Sequence, residues 1–399
     1  MSMSDQFTEI TNESWFSRIG SSIKGILTGI VLILVAFPIL FLNEGRAVKR
    51  YKTLKEGGSN VVSVSTDTLN AENEGKLVHL SGMAQTQDTL TDPTFDVSIN
   101  AIKLNRIVKM YQWEQKSEKK SEKKLGGGTT TTTTYTYNKV WSDSLIDSGS
   151  FKNKAGHENP STMLYKSEEQ LATDVSMGKY ELSRDLVTKI SGYSTLKIDP
   201  KEAKIPNEIK AKANFYNGGF YMGKSSQSPQ IGDMQVTFQV IKPTEVSIVA
   251  KQAGKSLESY KTEVGGSILL LQMGTADAKT MFDQAQADNT KLTWLLRGLG
   301  FILMVVGFTV FFKPLSVLAD VIPFIGNLIE GGVLLVALMF SAMLSSITIA
   351  IGWIVYRPIL GIGLLVVAGI SSYLIFGRIK AGKVKRQERL AELDMSMPA

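Results

Sequence analysis

Few residues in this chain have types and spacings that could do chemistry. Gly218-Gly219-Phe220-Tyr221-Met222-Gly223-Lys224-Ser225 satisfies the spacing G-x-x-x-x-G-K-[ST] of a phosphate-cradling loop. Such a loop needs a strand before it and a helix after it, so that the first N–H groups of the helix face the phosphates. Pro229 comes too soon after Ser225 for that helix, Phe220 and Tyr221 crowd the loop, and no apolar run ending in Asp follows to hold magnesium. A turn between strands is the better reading. The two histidines, His79 and His157, are isolated, with no HExxH helix to make a zinc site. His157 with Glu158 and Asn159-Pro160 reads as an Asx/Pro turn rather than an acid–base pair. Asp88, Asp92 and Asp96 recur every fourth residue around Pro93, which is not the pattern of a calcium loop. The chain has no cysteine, so thiol nucleophiles, Cys-ligated metals and disulfides are excluded. No G-x-S-x-G elbow occurs. The expectation is a protein with no catalytic residues, no metal site and no cofactor.

The elements that would carry such groups are of two kinds. The chain has 399 residues, 43% hydrophobic, a net charge of +7 and a mean hydropathy of +0.03. That neutral mean hides segregation, because the apolar residues gather in runs near the two ends. Gly25–Leu42 is an uncharged stretch long enough to cross roughly 30 Å of hydrocarbon as a helix. Three more spans are expected over 294–312, 332–355 and 358–376. Arg297 is the one charge within these four, a turn from Trp294, where it would snorkel to headgroup depth. Trp15, Phe16, Trp353, Tyr356 and Arg357 are further interface anchors. Gly25 and Gly29 form a G-x-x-x-G. Ala337, Ser341 and Ser345 form one row of small residues on the third span, and Ala342, Ser346 and Ala350 an adjacent one. Such rows let helices approach closely, within one subunit or between copies. No acidic residue falls inside a span, which weakens a proton- or cation-coupled transporter.

The tail 377–399 is the densest Lys/Arg cluster beside any span and is expected in the cytoplasm. Four spans return residues 1–24 to the same side, as an amphipathic in-plane tail, and put 43–293 outside. Residues 313–331 pattern as an in-plane amphipathic helix broken at Pro323. Strand signals dominate 43–293. Met234, Val236, Phe238 and Val240 alternate with polar residues, a Lys242-Pro243-Thr244 turn follows, and Val246, Ile248 and Ala250 resume, which reads as a hairpin. Other expected strands are 61–65, 76–81, 101–114, 130–141 and 267–273. The repeat Ser117-Glu118-Lys119-Lys120 and Ser121-Glu122-Lys123-Lys124 runs into three glycines and six threonines, a long hairpin with a solvated tip. Its glutamates dilute the basic charge, so no nucleic-acid partner is expected. A helix from about Ala278, with Thr275 as N-cap, should lead into the second span. The fold class is therefore a membrane protein of four transmembrane α-helices, with a large β-rich α+β extracytoplasmic domain inserted between the first and second spans.

Several ordered motifs resemble the LUMA family (transmembrane protein 43). They are Asn43-Glu44-Gly45-Arg46-Ala47-Val48, Glu72-Asn73-Glu74-Gly75-Lys76-Leu77-Val78-His79, Met110-Tyr111-Gln112-Trp113, Tyr137-Asn138 with Trp141, Gly156-His157 with Asn159-Pro160-Ser161, Gly232-Asp233, and Tyr356-Arg357-Pro358. The resemblance runs from the first span to the fourth. It implies a four-span protein of the endoplasmic reticulum and inner nuclear membrane in animals, a membrane organiser that self-associates and binds lamins and emerin. It carries over no catalytic residue. The absence of cysteine, and of a usable N-x-[ST] in 43–293 because Pro160 blocks Asn159, tilts toward a bacterial member in the inner membrane, where nuclear partners do not apply. The functional expectation is a non-enzymatic scaffold that binds the lipid bilayer, forms a homo-oligomer and organises other membrane or envelope proteins. A channel or transporter-like assembly, and a stress or ligand sensor acting through the β-rich domain, are the alternatives.

Overall fold

The computed structural model describes residues 5–200, 205–359, 361–363 and 366. All but the start of the expected fourth span, and the whole basic tail, lie outside them. The described chain divides into a β-rich unit (residues 5–18, 50–288 and 320–323) and a helical unit (19–49, 289–319 and 324 onward).

Three long helices carry the apolar runs: α1 (Trp15–Asn60), α2 (Ala278–Ala319) and α3 (Pro323–Tyr356). Each is long and apolar enough to cross a membrane. All three outrun their expected spans, because the polar flanks stay helical. α1 continues past Leu42 through Pro38 and the basic residues Arg46 to Lys55, so those charges lie on a helix rather than in a loop. α2 begins where Asp277 accepts the N–H of Thr280 at 2.6 Å, so Asp277 rather than Thr275 is the cap. Residues 313–331 are not a separate in-plane helix. α2 runs on to Ala319, residues 320–322 turn, and Pro323 opens α3 at a position where its missing N–H costs nothing.

Within the helical unit, Ala36, Leu40 and Met304 are fully buried, with Phe37, Leu303, Phe308, Leu344 and Ile349 around them. At Gly29 an added Cβ would lie 2.6 Å from the Gly307 carbonyl oxygen, so these two glycines set the distance between α1 and α2.

In the β-rich unit the principal strands are β1 (Asp5–Glu13), β2 (Leu77–Thr86), β3 (Lys103–Lys123), β4 (Thr129–Ser142), β5 (Glu168–Leu171), β6 (Ala213–Tyr216), β7 (Gly219–Met222), β8 (Met234–Ile241), β9 (Thr244–Ala253) and β10 (Leu270–Met273). One sheet runs β1-β4-β3-β8-β7-β6, with β5 on β3 and 194–196 on β8. In the other, β9 pairs with β2, with β10 and with 256–258, and the ladder returns to β2 through 180–182 and 175–177. That closed ladder wraps Leu80, Val175, Met177, Tyr180, Val246, Ile248 and Leu257. The open sheet packs Leu104, Val108, Phe220, Val236 and Phe238 around Phe95. Leu54 of α1 and Met281 and Phe282 of α2 join Leu77, Val249 and Ile268 in a third cluster.

Two expectations are overturned here. The alternation in β8 holds, with Met234, Val236, Phe238 and Val240 all buried, but β8 and β9 do not form a hairpin. β8 pairs with β3 while β9 pairs with β2, one in each sheet, because Val246 to Ala250 is buried on both faces and demands neighbours of its own. The second concerns the N-terminal tail. Residues 5–13 are not an amphipathic helix; they add a strand to β4, from Asp5 opposite Tyr137 to Glu13 opposite Thr129.

Candidate functional site

The helical unit buries a charged cluster that links two of the distant motifs. Glu44 projects from α1 with its side chain 1% exposed. Its Oε1 accepts from Arg297 Nε at 2.7 Å, and its Oε2 accepts from Arg297 Nη2 at 2.9 Å and from Trp353 Nε1 at 2.8 Å. The two guanidinium bonds form a fork, the geometry in which Arg and a carboxylate interact most strongly. The Arg297 guanidinium lies over the rings of Trp294, at 4.8 Å, and Trp353, at 5.7 Å, which shields the charge with indole faces. Two residues further along α1, Arg46 donates to Asn43 Oδ1, Asn289 Oδ1 and Thr293 Oγ1. Asn43 Nδ2 closes the group on Thr293 O, and Asn289 Nδ2 on Ala47 O. Gly45 lets Tyr356 pack on α1, since a Cβ there would meet the phenol ring at 2.6 Å. Asn43-Glu44-Gly45-Arg46 and Tyr356-Arg357 thus meet in space.

Three expectations change. Arg297 does not simply snorkel; it has a buried protein partner. Glu44, which falls just past the expected end of the first span, is a carboxylate packed among the membrane helices. The G-x-x-x-G is used within one chain, with Gly29 against Gly307 and a Cβ added at Gly25 lying 3.4 Å from Val310 Cγ1. The inner row of α3, Ala337, Ser341 and Ser345, is buried, whereas Ala342, Ser346 and Ala350 are exposed. Phe16 is exposed, and Trp15 packs beside the hairpin glycine Gly127. Arg357 is half-buried at the end of α3.

A second cluster gathers several of the other motifs in the β-rich unit. His157 is buried, stacked on Tyr137 with centroids 4.0 Å apart and edge-on to Trp113 at 4.7 Å. Its Nε2 lies 3.0 Å from Asp5 Oδ2 and its Nδ1 3.1 Å from Asn153 O. Asn159 clamps β3 by accepting from Trp113 N and donating to Trp113 O and Ile146 O. Tyr221 donates to Asp233 at 2.5 Å, and burial, reinforced by that bond, pushes its phenol well above the ordinary tyrosine range. These residues lock loops onto the sheet.

The other chemical candidates have structural roles. Gly219–Met222 is itself a buried strand, β7, rather than a turn, and a Cβ at Gly219 would strike Val236 O. His79 bonds Ser63 and Ala276 O, far in the fold from the partners of His157, and Glu158 accepts from Gly156 N. Asp88 accepts N–H bonds from Thr173 and Asp174, and Asp92 pairs with Arg106 at 2.5 Å. Among the described residues no group of three or more His, Asp or Glu could hold a metal ion.

Long apolar helices packed around an ion pair, beside a β-rich domain in the same chain, define an integral membrane protein. A family model described as Transmembrane protein 43 matches residues 110–358. Transmembrane protein 43 of mouse is 32% identical over 368 residues, covering 89% of this chain and 90% of the relative. The human protein is likewise 32% identical, covering 90% of each, and the Drosophila melanogaster homolog is 31% identical, covering 88% of this chain and 94% of its own. The chain belongs to the transmembrane protein 43 family. No solved structure matches it. The family name describes membrane residence and indicates no reaction.

Proposed function

We propose that this protein is a non-enzymatic multi-pass membrane scaffold that assembles from copies of itself and organises neighbouring membrane proteins. Residues 358–376 complete it as a fourth span, and the Lys/Arg-rich tail after it favours a cytoplasmic C-terminus, in a bacterial inner membrane. The observation that carries the reading is the three-stranded ribbon β1-β4-β3. Among the described residues, β1 has no strand on its outer edge, and β3 has none beyond Met110 on the edge away from β4. Open edges are templates for pairing with another chain.

The two edges differ in charge. β1 carries Asp5, Glu9 and Glu13 and no cation, whereas residues 116–124 carry five lysines against two glutamates. Like edges repel and unlike edges attract, which favours head-to-tail contacts that close into rings. Helix contacts between copies are not required, since the G-x-x-x-G and the inner small row are used within one chain. A coupled transporter has less support, because the carboxylate of Glu44 is fully engaged by Arg297 and Trp353.

Mass measurement of the full chain in lipid nanodiscs tests the proposal. A homo-oligomer is expected, and Lys119→Glu with Lys120→Glu should shift it toward smaller species. A strictly monomeric particle overturns it.

A further inference from the structure

Beside the buried ion pair, the helical unit holds a cavity of about 580 Å³, walled by Trp294, Arg297, Phe301, Ile349, Ala350 and Trp353. We propose that it is a binding site for one phospholipid with an anionic headgroup. Two observations carry this. The first is an uncommitted donor. Glu44 engages Arg297 through Nε and Nη2 only, so among the described residues Nη1 has no partner, and the side chain keeps 15% of its surface exposed. A guanidinium whose Nη1 carries two unused N–H bonds, close to the rings of Trp294 and Trp353, is a preset donor for a phosphodiester oxygen.

The second is the charge balance. The cluster contains two guanidiniums, Arg46 and Arg297, and one carboxylate, Glu44; Arg46 is bonded only to Asn and Thr side chains. Among the described residues neither guanidinium is bonded to a second carboxylate. The cluster therefore carries one net positive charge, centred on Arg46, which does not itself line the cavity; an anion on Arg297 would offset it. A lipid phosphate supplies that anion while its acyl chain lies against Phe301, Ile349 and Ala350. A soluble phosphate ester would supply the charge alone and leave the apolar surface uncovered.

The test is native mass spectrometry of the full chain, purified from membranes and exchanged with phosphatidylglycerol, with phosphatidylethanolamine, or with inorganic phosphate. One phosphatidylglycerol per chain should be retained about tenfold better than phosphatidylethanolamine. Ala350→Trp fills the cavity and leaves the ion pair intact; it should abolish retention, as should Ser346→Trp from the same exposed row, so the failure of one variant to fold does not spare the proposal. The double variant Glu44→Gln with Arg297→Gln should lose the preference between the two lipids. Equal retention of both lipids, unchanged retention in the tryptophan variants, or displacement of the lipid by millimolar inorganic phosphate would each overturn it.

Discussion

Replacing Glu44 by Gln keeps the shape of the side chain and removes the charge that Arg297 faces. The fork becomes a pair of bonds to a neutral amide, and a guanidinium with 15% of its surface exposed is left among apolar helices. Breaking a buried pair by removing one partner costs about 3–5 kcal/mol, and the partial exposure of Arg297 puts this case near 3. At roughly 2–4 °C per kcal/mol for a unit of this size, the unfolding midpoint should fall by about 6–12 °C. Replacing both residues by Leu removes the pair without orphaning a charge, and should lie within about 1 kcal/mol of the parent. With the single variants Glu44→Leu and Arg297→Leu closing the double-mutant cycle, the coupling energy should be about 2 kcal/mol or more. Thermal unfolding in detergent, followed by tryptophan emission, reads all of these proteins, since Trp294 and Trp353 both stack on Arg297. An unchanged midpoint for Glu44→Gln, or single and double variants that lose equal stability, would refute the assignment of the pair as a buried, mutually dependent unit.

Because the parent chain has no cysteine, Gly25→Cys with Val310→Cys gives a clean cross-linking test. Oxidation should join the two positions within one chain, with no species at dimer mass on a reducing-sensitive gel. Asn159→Ala removes three bonds to the main chain of residues 113 and 146 and should cost about 2–3 kcal/mol, seen as faster amide exchange along β3 and in the loop at Ile146. Tyr221 is buried with its phenol raised above the ordinary range, first by burial and then by the bond to Asp233. A raised folded value means that the neutral phenol stabilises the fold fully below about pH 10, where unfolded tyrosine ionises, and that this contribution drains away as pH rises toward the folded value. Tyr221→Phe should therefore flatten the alkaline loss of stability, and a Tyr221 that ionises with the exposed tyrosines at 295 nm would contradict the burial argument.

How much of this was legible in the sequence depended on the range of the cause. The apolar helices follow from local composition, and the β8 alternation follows from a period of two, so both could be read directly. The partner of β8 could not. A strand buried on both faces looks like any short apolar run, and nothing local says that Val246 to Ala250 belongs to a different sheet. The tail went wrong for a related reason. Phe7 and Ile10 among polar residues fit a loose helical face, and only the presence of β4 as a template makes the extended form favourable. In the site, Trp294, Arg297 and Trp353 stood out by type, but Glu44 did not. A hydropathy window ends at Leu42 because it scores residues singly, whereas the structure scores the pair. Its signal was present in Asn43-Glu44-Gly45-Arg46, an alternation of acid, small residue and base that is unusual at the mouth of an apolar helix.

That pairing also constrains the order of assembly. A carboxylate or guanidinium inserted alone on a helix costs on the order of 3 kcal/mol by insertion scales, and α1 emerges with Glu44 long before its partners exist. Arg297 follows 253 residues later and Trp353 309 residues later. Until α2 and α3 arrive, Glu44 lacks its protein partners, so α1 alone is an incompletely satisfied helix. The polar groups nearby act in the same direction, because Asn289 and Thr293 satisfy Arg46 only when α1 and α2 are side by side. The helical unit is therefore not held by apolar packing alone, which acyl chains could replace at little cost. It is held by polar groups that only the complete set of helices can satisfy, and the register of α1 against α2 is fixed where Gly29 meets Gly307 at one level and Glu44 meets Arg297 at another.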